Sequence, residues 1–307
     1  MNFNQKNIDY LLIDGTSYIY RAYYSFPYFK NKKNVPSGAI YGVINMLKNL
    51  SFRYPYTQII IIFDSSIPSF RNILFQDYKK NRPSMPQNIK IQIKPLYKII
   101  QSIGFPIITI PSYEADDIIG TLSYEANSKN KFTLISTNDK DLAQLVNINT
   151  HILENISKKI LGKQEIKQKY GVFPSLIPDL LGLMGDRSDN IPGVPKIGKK
   201  TALFLLEKFG SLNNVYKNFE KISQYSFRNS KMIIKQLIIN KKLAFLSKNL
   251  ATIKTNISIN KSIDQFKMSP PSLPKLLYFF EYYEFYSWTK SLKEGKWLIN
   301  IHNQKIK

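Results

Sequence analysis

Nine of the 21 acidic residues gather at five short motifs. Asp14 and Asp64 close two apolar runs, YLLID and QIIIIFD. Glu114, Asp116 and Asp117 open EADDIIGTLSYEA, which carries a helical pattern. Asp139 and Asp141 bracket Lys140 in TNDKD, and Asp186 and Asp189 stand three apart in GDRSDN. Taken singly, each has a plain explanation: an aspartate after a strand forms a turn or caps a helix, and acids in a first turn complement the helix dipole. Taken together, in a chain of net charge +23, they would repel one another unless something positive binds among them. The chain has no cysteine, and its two histidines, His151 and His302, receive no role. Oxygen ligands without sulfur or imidazole indicate Mg²⁺ or Mn²⁺ rather than zinc. Two such ions serve phosphodiester hydrolysis, one generating hydroxide and the other stabilising the leaving oxygen.

These carboxylates need a frame. Tyr10–Asp14, Gln58–Asp64, Pro106–Pro111 and Phe132–Asp139 read as short strands, apolar on both faces, with helices over 39–50 and 114–126 between them. Such alternation predicts an α/β fold with a mainly parallel sheet covered by helices. Ligands of open α/β sheets sit beyond the carboxyl ends of the strands, where Asp14, Asp64 and Asp139 fall. From about Val172 the strand signals fade and helical patterns take over, at 202–209, 231–247 and 273–292. The expected organisation is an α/β domain over 1–172, a helical domain over 173–292 and a tail over 293–307.

Charge adds a partner class. Residues 1–141 carry +7 and residues 142–307 carry +16, which points to a polyanion, nucleic acid or an anionic membrane surface. The 38 lysines against six arginines, with abundant Ile, Asn, Tyr and Phe, look like AT-rich coding bias, so the charge argument is discounted but kept. No apolar run approaches the roughly 18 residues of a membrane span, and the amino terminus does not read as a signal peptide. A reducing cytoplasm fits the absence of cysteine.

The motifs taken in order are LLIDGTSYIYRAYYSF (11–26), IIIIFD (59–64), FRNILFQDYKKNRPSMP (70–86), YEADDIIGTL (113–122), STNDKDLAQLV (136–146) and LLGLMGDRSDNIPGVPKIGKKTA (180–202). They resemble the 5′-nuclease domain of bacterial DNA polymerase I, within the flap endonuclease superfamily. LAFLSKNLATIKTNISI (243–259) and LYFFEYYEFYSWTKSL (277–292) resemble that domain's closing segments. The resemblance implies a PIN/resolvase-like α/β domain, a helical arch at about 68–100 and a helix-hairpin-helix (H3TH) type motif at about 186–210. It also implies a two-metal cluster on Asp14, Asp64, Glu114, Asp116, Asp117, Asp139, Asp141, Asp186 and Asp189.

The basic residues gain roles from the same resemblance. Phe70–Pro86 interleaves Arg71, Lys79, Lys80 and Arg82 with Phe75 and Tyr78, a pattern that suits single strands but also a solvated helix. The resemblance makes Lys79 and Arg82 the cations at the scissile phosphate, Tyr78 a stacking residue, Arg71 a DNA contact and Arg21 a weaker phosphate contact. GVPKIGKK (193–200) is most of a Walker A pattern, but Lys200 stands where Ser or Thr would hold Mg²⁺ and no strand precedes it. The better reading is a hairpin whose Gly193 and Gly198 admit duplex backbone, with Lys196, Lys199 and Lys200 on phosphates; in the family it also holds K⁺. Two departures stand out: Asn138 where the family usually has Gly, its turn kept by a left-handed backbone, and Arg187 where it has a small Ser, able to pair a carboxylate or touch phosphate. The Tyr278–Trp288 stretch has helical spacing and reads as core.

The leading expectation is a Mg²⁺-dependent 5′→3′ exonuclease and flap endonuclease of the bacterial cytoplasm and nucleoid. It would be a monomer acting on DNA flaps, nicks and RNA primers beside a separate polymerase and ligase, since the typical relative continues into a polymerase and this chain stops. A PIN-type ribonuclease shares the strand-end aspartates but not the helical half. A noncatalytic DNA-binding protein would have lost carboxylates, and none is lost.

Overall fold

A computed structural model describes residues 8–55, 57–224 and 230–298. The first half runs β1 (Tyr10–Asp14), α1 (Gly15–Ser25), α2 (Gly38–Arg53), β2 (Gln58–Ile62), α3 (Phe70–Leu74), α4 (Gln87–Ile103), β3 (Ile107–Ile108), α5 (Ala115–Ser128), β4 (Thr133–Thr137), β5 (Thr150–Glu154), β6 (Ile160–Leu161) and α6 (Lys163–Tyr170). The strands form one sheet in the order β3-β2-β1-β4-β5-β6, parallel throughout except for the antiparallel β5–β6 pair. The chain leaves β1 toward β2 on one side and returns through β4 on the other, so the crevice between β1 and β4 is the switch point where such sheets bind ligands.

Alternation along the strands separates two cores. Leu11, Ile13, Ile59 and Ile61 face the layer of α1, α2 and α4. Tyr10, Leu12, Ile60 and Ile62 face α5 and the helical half. That half comprises α7 (Ile177–Met184), α8 (Lys199–Phe209), α9 (Leu212–Lys217), α10 (Phe219–Gln224), α11 (Ser230–Ile239) and α12 (Lys241–Ala251); α13 (Leu273–Tyr282) and α14 (Tyr286–Lys293) follow it in the chain. Each fully buried Leu or Ile contributes about 1.5–3 kcal/mol, and the strand residues of both faces are buried almost completely.

The structure departs from the expected organisation in three places. The 273–292 segment breaks at Glu284, whose φ is +58, into α13 and α14. Neither helix belongs with the helical half: Leu276, Phe280 and Trp288 join the core of the α1, α2 and α4 face, and α13 packs on α4. Trp288 and Phe280 are core as expected, whereas Tyr278 and Tyr286 are exposed.

The 68–100 region, expected as a helical arch, is helical only toward its two ends. It consists of the short α3, an irregular stretch over 75–86, and α4, whose Ile89, Leu96, Ile99 and Ile100 are fully buried in the sheet layer. Finally, β5 and β6 extend the sheet beyond the four strands read from the sequence.

Candidate metal centre and nucleic-acid interface

The passage from β1 into α1 shows how sequence sets the site. Asp14 is extended (φ −69°, ψ 91°) and caps α1, its Oδ1 accepting from the Ser17 amide at 2.9 Å. Gly15 is required next, because a Cβ there would come within 2.4 Å of the Phe63 ring. The cap and the expected ligand are thus the same carboxylate; its Oδ2 accepts from the Thr137 hydroxyl at 2.9 Å, tying β1 to β4. Asp64, just past β2, accepts from the Ala115 amide at 2.8 Å and so meets the N-terminus of α5. Asp139 follows β4 and accepts from the Asp141 amide at 2.9 Å.

Eight of the nine expected carboxylates form two adjoining groups. Asp14, Asp64, Glu114, Asp116 and Asp139 line a cleft of about 300 Å³, with Lys79 and Arg82 on its wall. Asp141, Asp186 and Asp189 bring carboxylate oxygens within 4.8 Å of one another. The second group is set by the GDRSDN loop, closed by paired backbone bonds between Asp186 and Ile191 at 2.8 Å. The Asp139–Asp141 turn joins the two groups.

The stretch over 77–82 lies on this loop rather than above it. The Lys79 amide donates to the Asp189 carbonyl at 2.9 Å, Asn81 to the Arg187 carbonyl at 2.6 Å, and Asn190 to the Asp77 carbonyl at 2.7 Å. Lys79 Nζ reaches Glu114 at 2.8 Å and Asp189 at 3.7 Å, and Arg82 pairs with Asp189. Lys140, which the sequence reading gave no role, pairs with Asp186 at 2.7 Å; its place between two of the acids was the available signal.

Electrostatics divide the acids. Burial, reinforced by Asp64 and Asp139, pushes Asp14 up to about 7 despite the Ser17 and Thr137 bonds. Burial, with Asp139 and Asp189, pushes Asp141 up to about 8. Asp116 and Asp139 move up for the same first reason, burial, and then from neighbouring carboxylates. Burial also works against Glu114, but Lys79 and Arg71 outweigh it and hold that carboxyl low. Asp186 is likewise held low, its burial outweighed by Lys140 and Ser188. The donor set fits hard divalent cations: Asp141 Oδ1 is buried without a hydrogen-bond partner, and clustered buried carboxylates stay anionic only against added positive charge.

Several expected roles need correction. Asp117 is fully buried, and both its oxygens are taken by Arg71, at 2.7 and 2.8 Å, with the Lys254 amide at 2.9 Å. It is therefore not placed to hold a metal. Arg71 is 2% exposed and also bonds the Leu250 and Thr252 carbonyls, so it fastens α3 to the end of α12 instead of meeting DNA. Tyr78 is 4% exposed, its hydroxyl on Glu114 and Asp189, which leaves no face for stacking on a base.

Arg21 does not line the cleft; its Nη1 donates to the Asn155 carbonyl at 2.6 Å. Asn138 is not left-handed, and its side chain accepts from the Asn155 amide at 3.0 Å. Arg187 is exposed and pairs with no carboxylate among the described residues.

The hairpin between α7 and α8 places Lys196, Lys199 and Lys200 on the surface, with Gly198 capping α8 in open space. Gly193 serves differently from the expectation. At φ +64° it lies against the end of α7, where a Cβ would fall 2.2 Å from the Gly185 nitrogen, so its smallness closes the hairpin rather than admitting DNA.

Comparison with known proteins agrees with this arrangement. Residues 9–171 match the family model of the 5′-3′ exonuclease N-terminal resolvase-like domain, and residues 172–273 that of the 5′-3′ exonuclease C-terminal SAM fold. A 5′-3′ exonuclease of Buchnera aphidicola subsp. Baizongia pistaciae is 58% identical over 296 residues, covering 96% of this chain and 98% of that one. DNA polymerase I of Pseudomonas aeruginosa is 40% identical over 288 residues, covering 93% of this chain but 32% of the polymerase. Among solved structures, the T5 5′-exonuclease with bound zinc superposes with a TM-score of 0.62 at 20% identity, over 79% of this chain and 89% of that one. The catalytic core of Rad2 in complex with DNA substrate gives 0.63 at 17%, over 96% and 93%; at such identities these two speak for the fold. With both domain models matched in order and the acidic groups assembled at the switch point, the chain belongs to the 5′-3′ exonuclease family and is a nuclease with a metal-binding carboxylate cluster.

Proposed function

We propose that the protein is a Mg²⁺-dependent 5′→3′ exonuclease and 5′-flap endonuclease that hydrolyses DNA with two metal ions. The observation that carries this reading is the pair of adjoining carboxylate groups with cations along one wall. Asp14, Asp64, Glu114, Asp116 and Asp139 would hold one ion, and Asp141, Asp186 and Asp189 the other. Two divalent ions supply activation of the attacking water and neutralisation of the leaving oxygen. Mn²⁺ suits the same oxygen set.

The chain's own side chains do the positioning. Lys79 and Arg82, paired with Glu114 and Asp189, are the cations poised to exchange a carboxylate for a phosphodiester oxygen. Lys196, Lys199 and Lys200, beside the amides that open α8, suit phosphates of the duplex. A potassium ion at that hairpin belongs to the same reading. So do RNA-primer removal and repair beside a separate polymerase and ligase, by a monomer in the bacterial cytoplasm.

The test is a duplex with a labelled 5′ flap, incubated with and without Mg²⁺. Short labelled products near the flap junction, formed only with Mg²⁺, are expected. Cleavage of single-stranded RNA in preference to the flap, or none at all, would overturn the reading.

A further inference from the structure

The second carboxylate group draws on both halves of the chain. Asp141 lies in the resolvase-like domain, and Asp186 and Asp189 in the SAM-fold domain. Three acids whose oxygens come within 4.8 Å of one another therefore depend on how the halves are joined.

The join runs through the carboxyl end of α12. The last carbonyls of a helix have no partner within it, and here side chains of the first half take them. Arg71 donates to the Leu250 carbonyl at 2.9 Å and to the Thr252 carbonyl at 3.1 Å. Between them, the Ala251 carbonyl accepts from Gln144 Nε2 at 2.9 Å. The same Nε2 donates to the Asp141 carbonyl at 2.9 Å, and Gln144 Oε1 accepts from the Ile253 amide at 3.0 Å. Both donors of the Gln144 side chain and its acceptor are thus engaged, with Asp141 on one side and the end of α12 on the other.

From α12 the connection continues to the other two acids. Ser247 stands four residues before Ala251, one turn or about 5.4 Å along the helix, and its hydroxyl accepts from the Gly193 amide at 2.9 Å. Gly193 lies against Gly185, the residue before Asp186. Asp141 is tied to the first carboxylate group by a separate bond, its amide donating to Asp139 at 2.9 Å. Its amide therefore serves the first group, and its carbonyl, through Gln144, the second.

We propose that Gln144 is a positioning residue for the second metal ion, holding Asp141 across the domain junction within reach of Asp186 and Asp189. The inference rests on the two-ion reading and makes one ion depend on a residue outside the carboxylate set. A partner that orients a ligand in this way is worth about tenfold to hundredfold in metal affinity.

The test is a calorimetric titration of the whole chain with Mn²⁺, at a temperature where scanning fluorimetry shows each variant folded. Gln144→Met keeps the length of the side chain and removes its three bonds. It should weaken the second ion by about tenfold to hundredfold and leave the first at wild-type affinity, because the bond from Asp141 to Asp139 is untouched. Gln144→Asn, one methylene too short to span both carbonyls, should act alike. Single-turnover flap cleavage by either variant should need correspondingly more Mg²⁺ for half its maximal rate, and should return toward wild type at saturation. Glu125→Met is the comparison: it removes other bonds across the same junction, from Ser262 and Ile263, about 14 Å along α5 from Asp116. It should lower the melting temperature and leave both ions unchanged. Equal weakening of both ions by Gln144→Met, no change in either, or loss of the second ion in Glu125→Met as well would overturn the proposal. A wild-type protein that takes up a single Mn²⁺ would instead remove the two-ion reading, and that result is visible before any variant is made.

Discussion

Asp117→Asn separates a metal ligand from a structural anion. In the structure Asp117 accepts two short bonds from Arg71 and one from the Lys254 amide, all without solvent. The substitution keeps shape but removes the charge that holds a buried guanidinium. Breaking one side of a buried ion pair costs about 3–5 kcal/mol. At about 2 °C per kcal/mol in a chain of this size, the melting temperature should fall by about 6–10 °C. Scanning fluorimetry measures this directly, and a calorimetric titration with Mn²⁺ at a temperature where the variant is folded should still give the wild-type stoichiometry. Replacing both partners, Asp117→Met with Arg71→Leu, should recover part of the loss, since two apolar side chains need no compensation. An Asp117→Asn protein that melted like wild type but bound one ion fewer would refute the structural assignment and return Asp117 to the metal set.

Asp64→Asn should do the opposite, leaving the melting temperature unchanged while lowering cleavage by several orders of magnitude with flap binding in Ca²⁺ intact. Lys79→Ala and Arg82→Ala should each slow single-turnover cleavage by about 10²–10³ while duplex affinity holds. Lys196→Ala with Lys199→Ala should reverse that pattern and flatten the salt slope by about 0.9 per lost duplex phosphate; alike behaviour of the two pairs would dissolve the division. The fourth prediction concerns pH. Asp14 and Asp141 sit at about 7 and about 8, above their usual 3.8, so the folded metal-free protein binds more protons than the unfolded chain between those limits. Its thermal stability should therefore fall as pH rises from 5 to 8, and Mn²⁺ binding, read by calorimetry in two buffers, should release protons below pH 8. A metal-free protein that gained stability over that range would contradict it.

Much of the frame was legible in the sequence because burial on both faces leaves a continuous apolar signature, as in β1 and β2. β5, THILE, has polar ends, and β6 has only two residues, too few for any period to register. The destination of α13 and α14 was not legible. Helical spacing shows that a face is apolar but not which of two layers receives it, and Leu276 and Phe280 chose the layer opposite the helical half. The place of α4 follows a related rule: it has basic and polar residues at intervals, but its isoleucines decide where it lies.

The acids were legible as a group, since nine carboxylates in a chain of charge +23 require an explanation. Which of them would face the cleft depended on angles within α5. Asp116 lines the cleft, while Asp117, about 100° round the helix, turns both its oxygens onto Arg71. Asp117 shares its face with Glu114, and both reach Arg71, from a motif 46 residues away from Asp117. Eight carboxylates remain, faced by Lys79, Arg82 and Lys140, so five negative charges would be unbalanced if every acid were ionised. Four of the eight, Asp14, Asp116, Asp139 and Asp141, are the ones pushed toward the protonated form, each by burial first. The protein's own cations thus face the rim, while burial raises the carboxyls of the centre. On the proposed reading, two divalent ions would bring four positive charges to the place where burial raises those four carboxyls, so that metal and protons would compete for the same cluster.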